Sequence, residues 1–418
     1  MRLELVTVGA ELLLGFTIDT NAAFLARTLS EIGVEIVRRT TVGDDPDDIV
    51  QAVRDALDRT GAVITTGGLG PTADDRTRPA IASLFGRALR MDEAVMAGIT
   101  ARFKRYGYAN MPASNAVQAM VPEGATVLGN PNGSAPGLWI EDERGRWVAM
   151  LPGVPHEMRT MATQVIVPML TKRYATNGAV VLSRTVRTTG IGESALAELL
   201  GDDGRDTVNG LPLAFLPGWE GVDLRVTSHD LPRADAVAAL DGAEAKLRSH
   251  AERYVYGRDA ENLAAVLLDL CRERRLHIAT AESCTGGMLG ERITAVPGSS
   301  DVYVGGVVAY EDRVKTASLN VSPDLIREHG AVSEPVVRAM AAGARAVLGA
   351  EIGIGITGIA GPAGGTSDKP VGTVWVATDV KGDVRATVRR YLGDREDVRR
   401  RSAQAALEQV RRSVTGSA

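Results

Sequence analysis

Residues 280–287 read Thr-Ala-Glu-Ser-Cys-Thr-Gly-Gly, after an apolar run at 276–281 with strand character and before a helical stretch. A strand-to-helix turn aims a side chain outward and leaves backbone N–H groups without intrahelical partners. A hydroxyl or thiol held there can attack a carbonyl while the free amides receive the oxyanion. Ser283 and Cys284 are the candidates for that attack, and Gly286 and Gly287 lie where substrate would pass. A glycine-bearing turn that only packs has the same look, so the partners decide.

Ser283 needs a base. His277 falls inside the strand and His329 in a loop before Gly330, and neither belongs to a triad motif. Lys315 follows Tyr310 by five residues, just over one helical turn into the next helix. Only six of the 47 basic side chains are lysines, so a lysine at a site points to an amine that can lose its proton. Withdrawn from water, such an amine can take the serine proton, and a nearby phenol can relay it. Lys315 reads equally as a solvated helix lysine. A second glycine turn at 353–362 offers close backbone approach to a ligand through Gly358 and Gly361, and Thr357 can bond substrate or nucleophile. Arg395 and Arg399, one turn apart at the start of the last helix, can clamp a phosphate or simply face solvent.

A different chemistry is legible near the N-terminus. Gly67-Gly68-Leu69-Gly70-Pro71-Thr72-Ala73-Asp74-Asp75 follows a buried strand and opens a helix. Gly68, Gly70 and Thr72 suit an anionic ligand, and carboxylates beside a phosphate make sense where a divalent cation bridges them. Glu11, Asp19, Asn21 and Glu157 lie on other strand-end loops, so Glu11, Asp74, Asp75 and Glu157 are the candidate metal ligands and Asn21 a substrate contact. Asp74 also reads as a plain helix N-cap.

These residues require elements to place them. Over 1–172 strands at 3–8, 35–41 and 62–66 alternate with helices at 21–32 and 47–59, and short strands near 138–140 and 147–151 lead into a helix ending near 170. That alternation predicts a parallel, doubly wound sheet with its ligands at the strand C-termini. Residues 173–257 read as a small α+β module, and Gly190-Ile191-Gly192-Glu193 resembles the glycine loop of RNA-binding KH domains. Its acidic surroundings at Asp202, Asp203 and Asp206 argue against RNA and leave a spacer or dimerisation role. Residues 258–418 form a third, α/β unit, with strands at 302–310, 352–357, 371–378 and 384–391 and a last helix near 396–413.

At 418 residues and net charge −5 with scattered basic side chains, the chain shows no nucleic-acid footprint. No apolar run approaches a membrane span, and no signal peptide is legible before the first strand. Two cysteines, Cys271 and Cys284, are too few for a disulfide framework, so a cytoplasmic setting is expected.

The C-terminal segments Ala281–Gly287, Pro297-Gly298-Ser299-Ser300, Tyr310 with Lys315, Gly330-Ala331-Val332-Ser333-Glu334, 355–362 and Lys369-Pro370-Val371-Gly372-Thr373-Val374 together resemble the C-terminal domain of the competence/damage-inducible CinA family. The resemblance implies nicotinamide mononucleotide amidohydrolase activity without a cofactor, with Ser283 as nucleophile, Tyr310 and Lys315 as the activating pair and Thr357 as a substrate or oxyanion contact. Residues 9–15, Asp19-Thr20-Asn21, 67–77, 130–137 and 151–158 resemble the family's MoaB/MoeA-like N-terminal domain, with Ala10 where threonine is usual. There the resemblance implies hydrolysis of ADP-ribose to AMP and ribose 5-phosphate, dependent on Mg, Mn or Co. Molybdopterin or nucleotide binding without turnover is the alternative for this domain. The family further implies pyridine-nucleotide salvage and a homodimer.

Overall fold

The computed structural model describes residues 1–174, 179–201 and 206–416. The mixed α/β chain divides into two compact units, Met1–Leu182 with Ser228–Ala238 and Ser183–Thr227 with Ala239–Ala418. Among the described residues no helix is long and apolar enough to cross a membrane.

The first unit contains β1 (Arg2–Val8), β2 (Glu35–Val42), β3 (Ala62–Thr66), β4 (Leu89–Met91), β5 (Met120–Pro122), β6 (Thr126–Leu128), β7 (Gly137–Glu141) and β8 (Trp147–Leu151). Its main sheet runs β2-β1-β3-β8-β7-β6, while β4 and β5 pair apart. The strands β2, β1, β3 and β8 are parallel as the alternation predicts; β7 and β6 add on antiparallel. Every residue of β3 and β8 is buried because helices cover both faces. Leu25, Leu29, Met158 and Met161 pack with Leu5 and Ile64 on one face, and Ile49, Val53 and Ile81 with Val6 and Val63 on the other. Asp45 caps the helix Pro46–Thr60 by accepting from Asp47 N at 2.8 Å. Sequence reading leaves 85–130 without elements, whereas the structure places there β4, β5, β6 and the helix Glu93–Arg105. Three-residue strands carry too little alternation to be legible.

The middle sheet comprises β9 (Ala179–Thr188), β10 (Thr207–Val208), β11 (Leu211–Pro217), β12 (Val222–Pro232) and β13 (Val255–Arg258) in the order β10-β11-β12-β9-β13. Helices Glu193–Leu200 and Arg233–Ala251 accompany it. Asp202 and Asp203 lie outside the described residues, and Asp206 is exposed.

The third sheet comprises β14 (Ile278–Glu282), β15 (Tyr303–Val308), β16 (Ile352–Gly358), β17 (Thr373–Val380) and β18 (Asp383–Arg390), ordered β15-β14-β16-β17-β18. The first three are parallel and the last two antiparallel. Helices Leu263–Arg274, Met288–Thr294 and Arg395–Thr415 bury Leu267, Ile293 and Leu407 against Ile352, Ile354 and Ile356. On the other face the helix Glu334–Leu348 sets Met340 and Ala344 against Ala279 and Ala281. Between the isoleucines of β16, Gly353 and Gly355 face that helix. A Cβ on Gly353 would stand 2.0 Å from Ala341 O, and one on Gly355 2.7 Å from Val337 O. These two glycines therefore admit a helix, not a ligand, which corrects the reading of 353–362 as one ligand-facing turn.

Candidate functional site

The chain enters the third sheet at β14, lays β15 on one side and β16 on the other, and so creates a switch point. Open α/β sheets form their ligand crevice at the strand C-termini of such a point. Glu282 is in register with Val308 of β15 and Ile356 of β16, so Ser283, Ala309 and Thr357 follow together in the next row. Ser283 N donates to Ile356 O at 2.9 Å and Ala309 N to Glu282 O at 2.7 Å. Tyr310 comes one residue later and is exposed.

Glu282 fixes the turn. Its carboxylate is 1 % exposed and accepts from Gly287 N at 3.1 Å, Leu289 N at 3.0 Å and Gly290 N at 2.8 Å. These are the amides that the start of the helix Met288–Thr294 leaves without intrahelical acceptors. Gly286 and Gly287, at φ +62° and +97°, bend the chain back over the carboxylate. The amides of Cys284 and Thr285 have no backbone acceptor among the described residues. They are the donors placed to receive an oxyanion beside Ser283.

The expected partners are arranged differently from the simplest reading. Lys315, on the helix Asp312–Leu319, is 1 % exposed, and Nζ donates to Tyr310 O at 3.3 Å and Asp312 Oδ1 at 3.1 Å. It is thus a buried lysine, not a solvated one. Its link to Tyr310 runs through the carbonyl, while the Tyr310 hydroxyl accepts from Arg395 Nη2 at 2.9 Å. No hydrogen bond joins Ser283 Oγ to either side chain among the described residues. Thr357 Oγ1 donates to Ala331 O at 2.9 Å. Arg395 also donates to Gly361 O at 2.7 Å, and Arg399 Nη2 to Thr285 O at 2.9 Å. The two arginines therefore pin the last helix to the Ser283 turn and the Gly361 turn. Gly358 ends β16 against Val374. His329 closes the helix Pro323–His329 and is not in a loop, and His277 precedes β14 and pairs with Glu351 at 2.9 Å. Burial pushes the Cys284 thiol up to about 12, and the Glu282 carboxylate adds to the shift, so a thiolate nucleophile is disfavoured.

In the first unit the switch point lies between β1 and β3. A cavity of about 400 Å³ there is lined by Glu11, Gly68, Gly70, Asp74, Asp75 and Glu157, together with Asp44 and Pro152–Val154. Thr77 Oγ1 donates to Gly67 O at 2.8 Å and Arg78 Nη2 to Leu69 O at 3.0 Å, which holds the loop carbonyls inward. The amides of Gly68, Leu69 and Gly70 find no acceptor among the described residues.

Three expectations shift here. Thr72 does not line the cavity; its amide donates to Asp75 Oδ2 at 2.8 Å, and its hydroxyl to the same oxygen. Asn21 is buried, and Nδ2 donates to Thr66 Oγ1 at 3.1 Å and Gly153 O at 2.7 Å, so it ties two strand-end loops together. Asp19 caps the helix Thr20–Ser30 through Ala22 N at 2.9 Å, whereas Asp74 caps nothing: Arg76 occupies the N-cap of the helix Thr77–Leu84.

The carboxylates are hard oxygen donors of the type a divalent cation takes. Asp75 is engaged by Thr72, and Glu157 accepts from Asn130 Nδ2 at 2.6 Å. Among the described residues no three His, Cys, Asp or Glu side chains group closely enough to hold a metal ion, so the expected four carboxylates do not form a cage. Magnesium-type ions are held by one or two carboxylates together with ligand phosphates, and that smaller demand the cavity fits.

Three family models match the chain in succession: "Probable molybdopterin binding domain" over residues 4–172, "Damage-inducible protein CinA KH domain" over 183–257 and "CinA C-terminal domain" over 260–414. A CinA-like protein of Gemmatimonas aurantiaca is 59% identical over 419 residues, which is 100% of this chain and 97% of the relative. The chain belongs to the CinA family. A CinA-like protein of Salinibacter ruber is 43% identical over 415 residues, 99% of this chain and 100% of the relative. The solved CinA structure from Thermoplasma acidophilum, described as of unknown function, is 38% identical and covers 41% of this chain and 96% of its own, at TM-score 0.37.

Two residues of this CinA chain escape sequence reasoning as structural supports of the sites. Glu282 looks like a neighbour of the nucleophile; the usable signal is an acid ending a buried strand just before orphaned helix amides. Arg78 is buried beneath the glycine loop and bonds Leu69 O and Val117 O, and burial lowers its guanidinium to about 10. Nothing in the local sequence marks it, because Val117 is 39 residues away.

Proposed function

We propose that the C-terminal domain is an amidohydrolase that converts nicotinamide mononucleotide to nicotinate mononucleotide and ammonia. The observation that carries this reading is Ser283 at the switch point, on a turn clamped by Glu282, with a buried lysine and two free amides around it. Ser283 Oγ attacks the carboxamide carbon, and Lys315, on leaving Tyr310 O and Asp312 for the Ser283 hydroxyl when substrate binds, takes its proton. The amides of Cys284 and Thr285 receive the carbonyl oxygen. The C–N bond then breaks, the leaving nitrogen takes the proton and departs as ammonia, and water hydrolyses the acyl-serine to the carboxylate. Tyr310 and Thr357 border the carboxamide, and Gly286, Gly287, Gly358 and Gly361 leave room for it.

For the N-terminal domain the reading is ADP-ribose pyrophosphatase, with the amides of Gly68 and Gly70 on the pyrophosphate. One or two of Glu11, Asp74, Asp75 and Glu157 would hold a divalent cation together with the ligand phosphates, and that cation would neutralise phosphate charge and activate water. Both substrates are products of NAD breakdown, which joins the two domains in pyridine-nucleotide salvage. The match to a molybdopterin-binding model favours a second reading, binding without turnover. Intact ADP-ribose retained through dialysis, with no AMP formed in Mg²⁺, Mn²⁺ or Co²⁺, would select it.

The deciding experiment measures ammonia and AMP release by the wild type and Ser283→Ala, with and without EDTA. The expected result is loss of ammonia alone in Ser283→Ala and loss of AMP alone in EDTA. Metal-dependent ammonia release, or ammonia from Ser283→Ala, overturns the serine–lysine mechanism. Light scattering tests the expected homodimer.

A further inference from the structure

Within the second unit, the KH-type loop Gly190-Ile191-Gly192 has both glycines exposed and Ile191 half-buried. It faces the last helix, and a side-chain carbon on Gly190 would come within 3.0 Å of Arg412 Nη2. Gln404 of that helix ties the module down, with Nε2 donating to Thr189 Oγ1 at 3.2 Å and Glu220 O at 3.1 Å. Between them lies a cavity of about 400 Å³, walled by the loop, Trp219, Tyr391 and four arginines. A KH loop that reads RNA clamps about four nucleotides along an open groove. A half-open space of this size takes one mononucleotide-sized ligand.

The charges select the ligand. Glu220 is held by Arg187 at 2.5 Å and Arg292 at 3.4 Å, and Glu408 by Arg411 at 2.7 Å and Arg412 at 2.6 Å, so both wall carboxylates are neutralised. Arg389 and Arg401 form no ion pair among the described residues. Arg401 Nε and Arg412 Nη2 are buried N–H donors without a partner. Native interiors leave few such donors unpaired, and two on arginines that line one cavity favour an anionic acceptor reached by a small side-chain shift. Ile191, Val222 and Ala405 add an apolar patch to a wall that also carries the polar Thr387, Gln409 and Ser413, which suits a ligand with an uncharged, hydrogen-bonding half.

We propose that this cavity is a second small-molecule site, separate from the Ser283 turn, for a phosphorylated compound of mononucleotide size. The helix Arg395–Thr415 carries Arg401 and Arg412 on the cavity and, at its other end, Arg395 and Arg399 on the Ser283 and Gly361 turns.

Trp219 lines the cavity and reports on it. The full chain is titrated with AMP, nicotinamide mononucleotide, inorganic phosphate and a single-stranded oligouridine while tryptophan emission is followed. A saturable change is expected with one of the mononucleotides, absent in Trp219→Phe and unaltered in Ser283→Ala, which separates this site from the amidohydrolase reading. Arg389→Ala/Arg401→Ala raises the Kd about tenfold or more, while Arg389→Lys/Arg401→Lys stays near the wild type. The proposal is overturned by the absence of a Trp219 signal with either mononucleotide at millimolar concentration. It is equally overturned by an unchanged Kd in the folded alanine pair, by inorganic phosphate binding as tightly as the mononucleotide, or by a response to oligouridine alone.

Discussion

Replacing Glu282 by glutamine tests whether the carboxylate, and not the strand alone, holds the nucleophile in place. Oε2 takes Gly287 N and Leu289 N, and Oε1 takes Gly290 N. A glutamine amide whose oxygen replaces Oε2 keeps the first two bonds but turns an NH₂ on the N–H of Gly290. The opposite orientation keeps only Gly290. At least one charge-assisted bond is lost and the others become neutral. With about 1.5–3 kcal/mol for a hydrogen bond to a charged group and about 1 for a neutral one, the local cost is about 2.5–7 kcal/mol. The assay is hydrogen–deuterium exchange of the amides at 283–290, because the two-unit chain need not unfold in one step. At 1.4 kcal/mol per factor of ten, exchange there accelerates at least about 60-fold and up to about 100,000-fold, and ammonia release falls with it. Exchange within about threefold of the wild type would refute the clamp.

Four further outcomes are expected. Burial holds the Cys284 and Cys271 thiols at about 12, so native Cys284 resists iodoacetamide at pH 8 and Cys284→Ser keeps ammonia release; alkylation that abolishes activity would restore the thiol as nucleophile. Because the folded thiols titrate above their unfolded range, their neutral forms favour the fold below about pH 9 and that contribution fades as pH rises towards 12, and Cys271→Ala/Cys284→Ala should flatten this decline in urea midpoints. Gly353→Ala forces a methyl against Ala341 O and should destabilise the second unit by about 2–3 kcal/mol, read from its denaturant midpoint; an unchanged midpoint contradicts the close helix approach. Asn21→Ala unties Thr66 from Gly153 and should cost the first unit about 1–3 kcal/mol and weaken ADP-ribose binding, measured by calorimetry, and equal affinity in a folded variant removes its positioning role.

Several elements were legible because local chemistry announces them. The β-branched and apolar residues of 2–8 and 35–42, the Asp45-Pro46 start of one helix, and the β-branched run at 62–66 each specify their element without distant partners. The Ser283 turn was legible for the same reason, since a small-residue stretch between strand and helix has few other conformations. The bonds of Arg395 and Arg399 to Gly361 O and Thr285 O were not legible, because these backbone acceptors are brought near only by the fold.

Residue types and spacing by themselves determined the α/β units, the turn that carries Ser283, the glycine loop at 67–70 and the family. Tertiary structure alone decided that β15 and β16 flank β14, that Lys315 is buried, that Gly353 and Gly355 seat a helix, and that Thr72, Asn21 and the two arginines bond to protein. The division is physical. Turns, caps and alternation are fixed by interactions within a few residues, whereas burial and hydrogen-bond partnership depend on segments that meet only when the sheets assemble.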